Sequence, residues 1–381
     1  MKKARRRASK QCGQTSKQAA ERSNSGPRGA ADRVILANAD RILPGRALLV
    51  MLNGTALARH LVQARPEPSW DLHTFEHFYL SALVDTLSAD DALPETANVE
   101  LFCTPDLPDA EYDTVIMPTD SRGSSELMRD LLQAICQRLK AHGRLLISTN
   151  NAKDHWLHQQ LKSHFEKVTV VKERDAICYV ARRPHRSVRE KNHDSEFAFR
   201  DGERLIACYS RPGVFSHRRV DAGARALIRS LTQAEVALPK LQKKSSRIID
   251  LGCGCGAVAT AAALRYPQAE VIAIDSHARA VQSTEKTAAL NGVDNVKVEL
   301  TSTGVVAGSG TFDLLLCNPP YYSDFRISEL FLQSAAEMLR PGGFVHLVTK
   351  QTDWHENRAI EIFANAVVHQ FGEYEVVVAR R

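Results

Sequence analysis

Two short stretches of this chain hold residues that could work together chemically. The first is Leu314-Leu315-Leu316-Cys317-Asn318-Pro319-Pro320-Tyr321-Tyr322, an apolar run ending in an amide, two prolines and two tyrosines. A carboxamide oxygen at a strand end, beside a backbone carbonyl held rigid by Pro319 and Pro320, can accept both hydrogens of a planar exocyclic amine. Such bonds help localise the nitrogen lone pair without a strong base, and in-line placement supplies most of the remaining acceleration. Tyr321 offers a flat face on which a base can stack, worth about 1–3 kcal/mol, and Tyr322 is expected to form a wall. The second stretch is Asp250-Leu251-Gly252-Cys253-Gly254-Cys255-Gly256, which continues the strand-like run Arg247–Leu251 and precedes an Ala-rich helix expected from about Ala257. Glycines let a backbone turn sharply and approach a ligand, and the helix start presents unpaired N–H groups. A bare Gly-x-Gly-x-Gly also suits a dinucleotide. Asp250, however, would disfavour a phosphate and welcome a ligand carrying an amine and a sulfonium. Asp275 ends the next strand-like run, Ala269–Asp275, where it could accept both hydroxyls of a ribose. Alone, Asp275 reads equally as a helix cap ahead of Ser-His-Ala-Arg-Ala-Val.

In combination, "DLGCGCG" and "AIDSHARAVQSTEKTAALNG" resemble the S-adenosylmethionine loop and following segment of class I methyltransferases. The resemblance implies that Gly252, Cys253, Gly254 and Gly256 shape the pocket for the methionine end of the cofactor. It places Asp250 beneath that end and Asp275 on the ribose. Where the family usually offers an acid or amide near the adenine, Thr301-Ser302-Thr303 stand here, so Ser302 is the expected contact. Asn318-Pro319-Pro320-Tyr321 resembles the N-P-P-[YF] motif of amine and amide methyltransferases. The lead-in "SRPGVFSHRRVDAGARALIRSL" (Ser210–Leu231) resembles the "GVFS...D.G...L" segment of bacterial ribosomal RNA guanine-N2 methyltransferases. The small-subunit type usually has Phe where Tyr321 stands, which leaves both ribosomal subunits open, with 16S expected ahead of 23S. Phe215 and Ser216 are expected to line the pocket, and Arg211, Arg218 and Arg219 to give a rim for phosphates. Arg225 and Arg229, one turn apart, read as a solvated helix face. A paired guanine could not reach the methyl group, so the base must be unpaired or flipped out.

Alternating strand-like and helical runs from about Ala47 onward predict an α/β fold, a parallel sheet with helices on both faces. The pattern occurs twice. Displaced by 200 residues, Tyr112–Thr149 lies over Phe312–Thr349 without a gap, with Asp113 over Asp313, Leu139 over Leu339 and Gly143 over Gly343. "ALLVMLNGT" (Ala47–Thr55) lies over "RIIDLGCGC" (Arg247–Cys255), so the first copy has one glycine where the second has a cluster. The expected fold class is therefore α/β: tandem duplicated Rossmann-like class I methyltransferase domains, the N-terminal copy degenerate. Residues 1–30 are expected to be a disordered basic arm, 31–185 the degenerate domain that grips RNA or substrate, and 186–381 the catalytic domain. The charged link Ala181–Glu196 marks the boundary region. The chain stops at "EYEVVVARR", whereas the first copy runs from "KVTVVKE" on to "AICYVARR", so the second sheet is expected to lack its last strand.

A chain of 381 residues suits two domains, and no apolar run approaches the length of a membrane span. Residues 1–30 hold nine Lys or Arg against Glu21 alone, and the remaining chain sums to −2. Eight scattered cysteines, with no C-x-x-C pair and no His at zinc spacing, argue for reduced thiols in a cytosolic protein and no metal. The expected partner is ribosomal RNA or a ribosomal subunit, with no membrane and a monomeric chain. Two other readings stay open here: a protein glutamine N5-methyltransferase, and a non-catalytic RNA-binding ribosome-assembly protein.

Overall fold

The computed structural model describes residues 29–88, 93–94, 96–185, 191–241, 243–320 and 324–381. The expected basic arm falls outside these residues except for Gly29 and Ala30, and Ala30 already opens a helix, α1 (Ala30–Leu36). The chain divides into two compact units, the first ending at Asn192 and the second running from His193 to Arg381.

The N-terminal unit continues with β1 (Arg46–Met51), α2 (Ala56–Ala64), β2 (Ser69–Thr74), α3 (His77–Leu87), β3 (Asn98–Cys103) and β4 (Tyr112–Thr119). It closes with α4 (Ser125–Arg138), β5 (Leu139–Thr149), α5 (Trp156–His164), β6 (Phe165–Lys172) and β7 (Ile177–Pro184). The C-terminal unit opens with a hairpin, β8 (Ser195–Asp201) and β9 (Arg204–Ser210), followed by α6 (Ala222–Ser230). It then runs through β10 (Arg247–Leu251), α7 (Ala257–Arg265), β11 (Glu270–Asp275), α8 (Ala278–Leu290), β12 (Val296–Leu300) and β13 (Phe312–Cys317). It ends with α9 (Arg326–Met338), β14 (Leu339–Thr349), α10 (Thr352–Phe363), β15 (Val367–Phe371) and β16 (Tyr374–Arg380).

Each unit is built on a seven-stranded sheet, in the order β3-β2-β1-β4-β5-β7-β6 and β12-β11-β10-β13-β14-β16-β15 respectively. The two orders are the same, as the 200-residue repeat predicts. In each, five parallel strands are followed by an antiparallel hairpin at one edge. Central strands are mostly apolar because both faces are covered. All six residues of β13 are buried, and all but the first of β1. Two core clusters, one per sheet face, fill each unit. Matched residues do matched work. Asp113 accepts the Arg46 N–H at 2.9 Å and pairs with Lys140 at 2.8 Å; Asp313 accepts the Arg247 N–H at 2.8 Å and pairs with Arg340 at 2.6 Å. A Cβ on Gly143 or Gly343 would come within 2.9 Å of the carbonyl oxygen of Tyr112 or Phe312, so both positions need glycine for close packing.

The second sheet is complete, contrary to expectation. "EYEVVVARR" is β16, the counterpart of "AICYVARR", and the preceding strand is β15, "VVHQF". β15 is five residues long, two of them polar (His369 and Gln370), and joined to β16 through Gly372 at φ +70°, whereas β6 spans eight residues. A short edge strand with a tight turn lacks the apolar run by which its counterpart was legible.

No described helix is long and apolar enough to cross a membrane. All seven cysteines among the described residues are free, and all but Cys103 are buried.

Candidate active site

Strand register assembles the site. Leu251 pairs with Cys317 on one side and Ile274 on the other, so Gly252, Asn318 and Asp275 leave adjacent strands at one sheet edge. That is the carboxyl edge, where open α/β sheets bind ligands. The hairpin after β10 is tied to β11: the N–H groups of Gly252 and Cys253 both donate to the Ile274 carbonyl, at 2.9 and 3.0 Å.

The three hairpin glycines serve different ends. Gly256, at φ +79°, caps α7, and a Cβ there would lie 2.8 Å from the Cα of Thr284 on α8. A Cβ on Gly252 would press on the Phe331 ring at 3.3 Å. Gly254, at φ +57°, has nothing within 4 Å of such an atom, so the hairpin faces open space there. Cys253, expected at the cofactor, is instead turned inward. Its thiol accepts the Thr284 hydroxyl at 3.2 Å, its N–H is spent on Ile274, and its carbonyl accepts the Gly256 N–H at 2.8 Å.

Asp250 is buried beneath the hairpin and accepts the Ala259 N–H in the first turn of α7. Its Oδ2 is buried and meets no donor among the described residues. Burial, with a smaller contribution from the charge of Asp275, pushes this carboxyl up to about 8. Asp275 accepts the Gly254 N–H at 2.9 Å through Oδ2 and the His277 N–H at 2.9 Å through Oδ1. Burial raises its pKa, and these backbone bonds oppose that. The cap of α8 is His277, which accepts the Arg279 N–H, so Asp275 is not the N-cap. Ser302 lies one residue beyond Thr301, whose N–H donates to the Asp275 carbonyl at 3.0 Å, on the same edge.

Asn318, half-buried, donates from Nδ2 to Oδ2 of Asp221 at 3.1 Å. The same Asp221 oxygen caps α6 by accepting the N–H groups of Gly223 at 2.8 Å and Ala224 at 3.2 Å. A Cβ on Gly223 would come 3.1 Å from Asn318 Oδ1 and 3.1 Å from the Tyr374 ring, so the missing side chain leaves room around the amide. Asp221 and Gly223 were legible only as the D-x-G of the lead-in; the signal for a role was an N-cap aspartate next to a glycine inside a helix start.

The remaining expected residues divide. Pro319 is buried and Pro320 half-buried, directly after β13. Tyr321 and Tyr322 lie outside the described residues. Phe215 is 64% exposed and therefore does not line a closed pocket. It precedes Ser216, whose φ of +56° is held by its hydroxyl donating to the Arg219 carbonyl at 2.8 Å. Arg218 and Arg219 are exposed. Arg211 does not belong to the rim: it is buried, donating to Gln282 Oε1 at 2.8 Å with Asp194 at 3.6 Å. Arg225 and Arg229 are exposed on α6, as a solvated face predicts, with Arg225 over the Phe199 ring.

These residues suit S-adenosylmethionine. An orphaned buried carboxylate oxygen can take an ammonium group, Gly254 leaves space for close approach, and the Asp275 carboxylate has acceptor capacity beyond the backbone bonds it receives.

Comparison with known proteins agrees. Residues 206–378 match the family model described as methyltransferase small domain. A ribosomal RNA small subunit methyltransferase C from Pseudomonas entomophila is 36% identical over 157 residues, 40% of this chain and 43% of that protein, so this alignment spans less than half of either. A protein of the same name from Hahella chejuensis is 29% identical over 334 residues, 82% of this chain and 89% of its own length. The solved 16S rRNA N2 G1207 methyltransferase of T. thermophilus, in complex with AdoMet and guanosine, shares the fold with a TM-score of 0.74 over 93% of each chain at 19% identity. The resemblance read from the glycine hairpin, the N-P-P-Y end and the lead-in is thus borne out: the C-terminal unit carries the methyltransferase small domain, and most of the chain is similar to ribosomal RNA small subunit methyltransferases C.

Proposed function

We propose that this protein transfers a methyl group from S-adenosylmethionine to the exocyclic N2 amine of a guanine in 16S ribosomal RNA. The observation that carries the reading is the Asn318 amide, held at the carboxyl end of β13 with its Nδ2 committed to Asp221. An amide anchored through its donor end keeps its oxygen as the acceptor for a substrate amine. The relatives' names and the guanosine-bound structure of similar fold support the same substrate.

When bound, S-adenosylmethionine supplies an electrophilic methyl group on a sulfonium. Asp250 holds its ammonium end, Asp275 its ribose hydroxyls, and Gly254 gives it room. Ser302 serves the adenine side, and Pro319 and Pro320 stiffen the backbone that carries Asn318. Asn318 Oδ1 accepts an N–H of the guanine amine, orienting the nitrogen without a strong base. Tyr321 supplies the stacking face and Tyr322 a wall beside it, with Phe215 and Arg218 on the approaching strand. The substrate is cytoplasmic RNA, a setting that keeps the free buried thiols reduced.

Protein glutamine methylation is not favoured, because the N-terminal unit is a second α/β sheet and not the helical front domain of those enzymes. In Asn318→Ala, cofactor binding by calorimetry should persist while methyl transfer to rRNA falls about 100-fold or more. Unchanged turnover removes Asn318 from the reaction. Absence of any saturable heat with S-adenosylmethionine in the unaltered protein would instead favour a non-catalytic assembly role. Mass spectrometry of rRNA nucleosides from cells with and without the chain should show loss of an N2-methylguanosine.

A further inference from the structure

The N-terminal unit lacks the glycine cluster, yet it holds a group of charges that its own fold does not neutralise. Arg144 on β5 lies directly opposite Arg182 on β7, and Arg182 lies directly opposite Lys167 on β6. Directly opposed residues of antiparallel strands share a face. Two residues along from Arg144 and Arg182, Leu146 and Val180 belong to one core cluster with Ala39 and Ile42, so the cationic row continues the face that packs against α1 and the turn after it. Arg41 stands in that turn, with Arg144 Nη1 donating to its carbonyl at 2.9 Å. Three cations therefore cross three strands within about 10 Å, with a fourth beside them.

Like charges directly opposed in a sheet are destabilising unless something offsets them. Here no acid among the described residues pairs with Arg41, Arg144, Arg182 or Lys167. Burial, and after it the charges of Arg182 and Arg41, holds the Arg144 pKa below its ordinary value. The Nε atoms of both Arg144 and Arg182 are buried without an acceptor among the described residues. The nearby acid Asp113 is occupied by Lys140 at 2.8 Å and by the Arg46 N–H. All three arginines are half-buried and Lys167 is exposed, so their outer ends can meet a ligand. The corresponding corner of the C-terminal unit is basic too. There a hollow of about 670 Å³ is bordered by Lys240, Lys243, Arg340 and Arg380, and its acid, Asp313, is bound by Arg340.

We propose that Arg41, Arg144, Arg182 and Lys167 form a phosphate-binding site that takes the phosphodiester backbone of the substrate RNA. The inference rests on the RNA reading above and deepens it by giving the N-terminal unit a defined task. Guanidinium groups recognise phosphate oxygens by paired N–H donation, and a row of cations across strands suits successive phosphates of a chain better than one free ion. Such contacts position the RNA without reading its sequence.

The test uses the full chain and an in-vitro transcript of a 16S rRNA segment, with affinity measured across a salt series. In Arg144→Gln/Arg182→Gln/Lys167→Gln, affinity should fall about tenfold or more, and the slope of log affinity against log salt should flatten by about 2, near 0.7 for each lost contact to a single strand. The melting temperature should hold or rise, because unpaired like charges are removed, and methylation of free guanosine should not change. Lys167→Gln alone, at an exposed position, should flatten the slope by about 0.7 and guards against a misfolded triple variant. If the unaltered protein binds the transcript and the triple variant binds it within twofold, this site is overturned while the substrate reading stands. If the unaltered protein does not bind RNA, both fall. Stabilisation by inorganic phosphate that the triple variant loses, with RNA affinity unchanged, also overturns the assignment, in favour of a small phosphate ligand.

Discussion

Asn318 and Asp221 form the smallest unit of the proposed chemistry. One carboxylate oxygen of Asp221 caps α6 and fixes the Asn318 amide, so helix position and amide orientation are set together. Asp221→Ser should keep the cap, since Ser caps nearly as well, but its side chain is too short to reach Asn318. The kcat is expected to fall about 10- to 100-fold with cofactor affinity and thermal stability little changed, and Asp221→Asn, which restores an acceptor, should recover most of it. Equal loss in both variants would mean that Asp221 acts otherwise. Asp250 makes a second prediction. With its carboxyl pushed up to about 8, largely by burial, it is mostly protonated at pH 7 without ligand. An ammonium group placed against its orphaned oxygen would favour the ionised form, so cofactor binding should release close to one proton at pH 7 and few above pH 9. The sign also bears on stability. The unfolded carboxyl ionises from about pH 4 and the folded one only near 8, so the ligand-free protein loses stability as pH rises through that window. Calorimetry in buffers of different ionisation enthalpy measures the proton count; no buffer dependence at pH 7 would count against the ammonium contact.

The glycine hairpin shows how one motif divides its labour. Gly256 and Gly254 both have positive φ, but only Gly256 is pressed against the backbone of α8. Gly256→Ala should therefore cost about 2–4 kcal/mol in urea unfolding, from the left-handed backbone and from overpacking against Thr284. Gly254→Ala meets only the backbone penalty, about 1–2 kcal/mol, and should chiefly weaken cofactor binding. Similar stability losses at both positions would contradict this division. The D-x-G-x-G-x-G spelling locates the hairpin, but which glycine faces the ligand depends on the approach of α8, whose contact with the hairpin is made by Thr284, nearly thirty residues downstream. Cys253 shows the same gap: it sits in the middle of the motif, yet its thiol and backbone groups serve the hairpin itself.

Across the full chain, two copies of one topology have kept different things. The first retains the sheet order and the Asp113 and Gly143 contacts that register β4 on β5, and lacks the glycine cluster. The C-terminal unit carries 21 Lys and Arg against 21 Asp and Glu, so any grip on RNA must come from local segregation of charge and not from net charge. Its core also holds a buried titratable group. His346 on β14 meets Ser230 Oγ at 2.9 Å and the Ala237 carbonyl at 3.0 Å, and burial lowers its pKa to about 4. The unfolded histidine takes up a proton below about 6.5 and the folded one only near 4, so stability present above pH 6.5 drains as pH falls between those values, by about 3 kcal/mol. Between pH 7 and 4 the stability of wild type should fall by about that much more than that of His346→Gln in denaturant melts; parallel profiles would show that His346 is not the group.

Local order in the chain was enough to reveal the duplicated α/β plan, the strand ending at Cys317, the glycine hairpin and the acid after β11, because hydrophobic period, glycine spacing and strand-end position are written in short stretches. The partnership of Asp221 with Asn318 joins residues 97 apart, and the opposed Arg144 and Arg182 face each other across two strands. Contacts of that kind exist only once strands have paired in register, and so do the inward turn of Cys253, the burial of Arg211 and the short final hairpin of the second sheet. Register and packing convert distant residues into neighbours, which no window of consecutive residues can express.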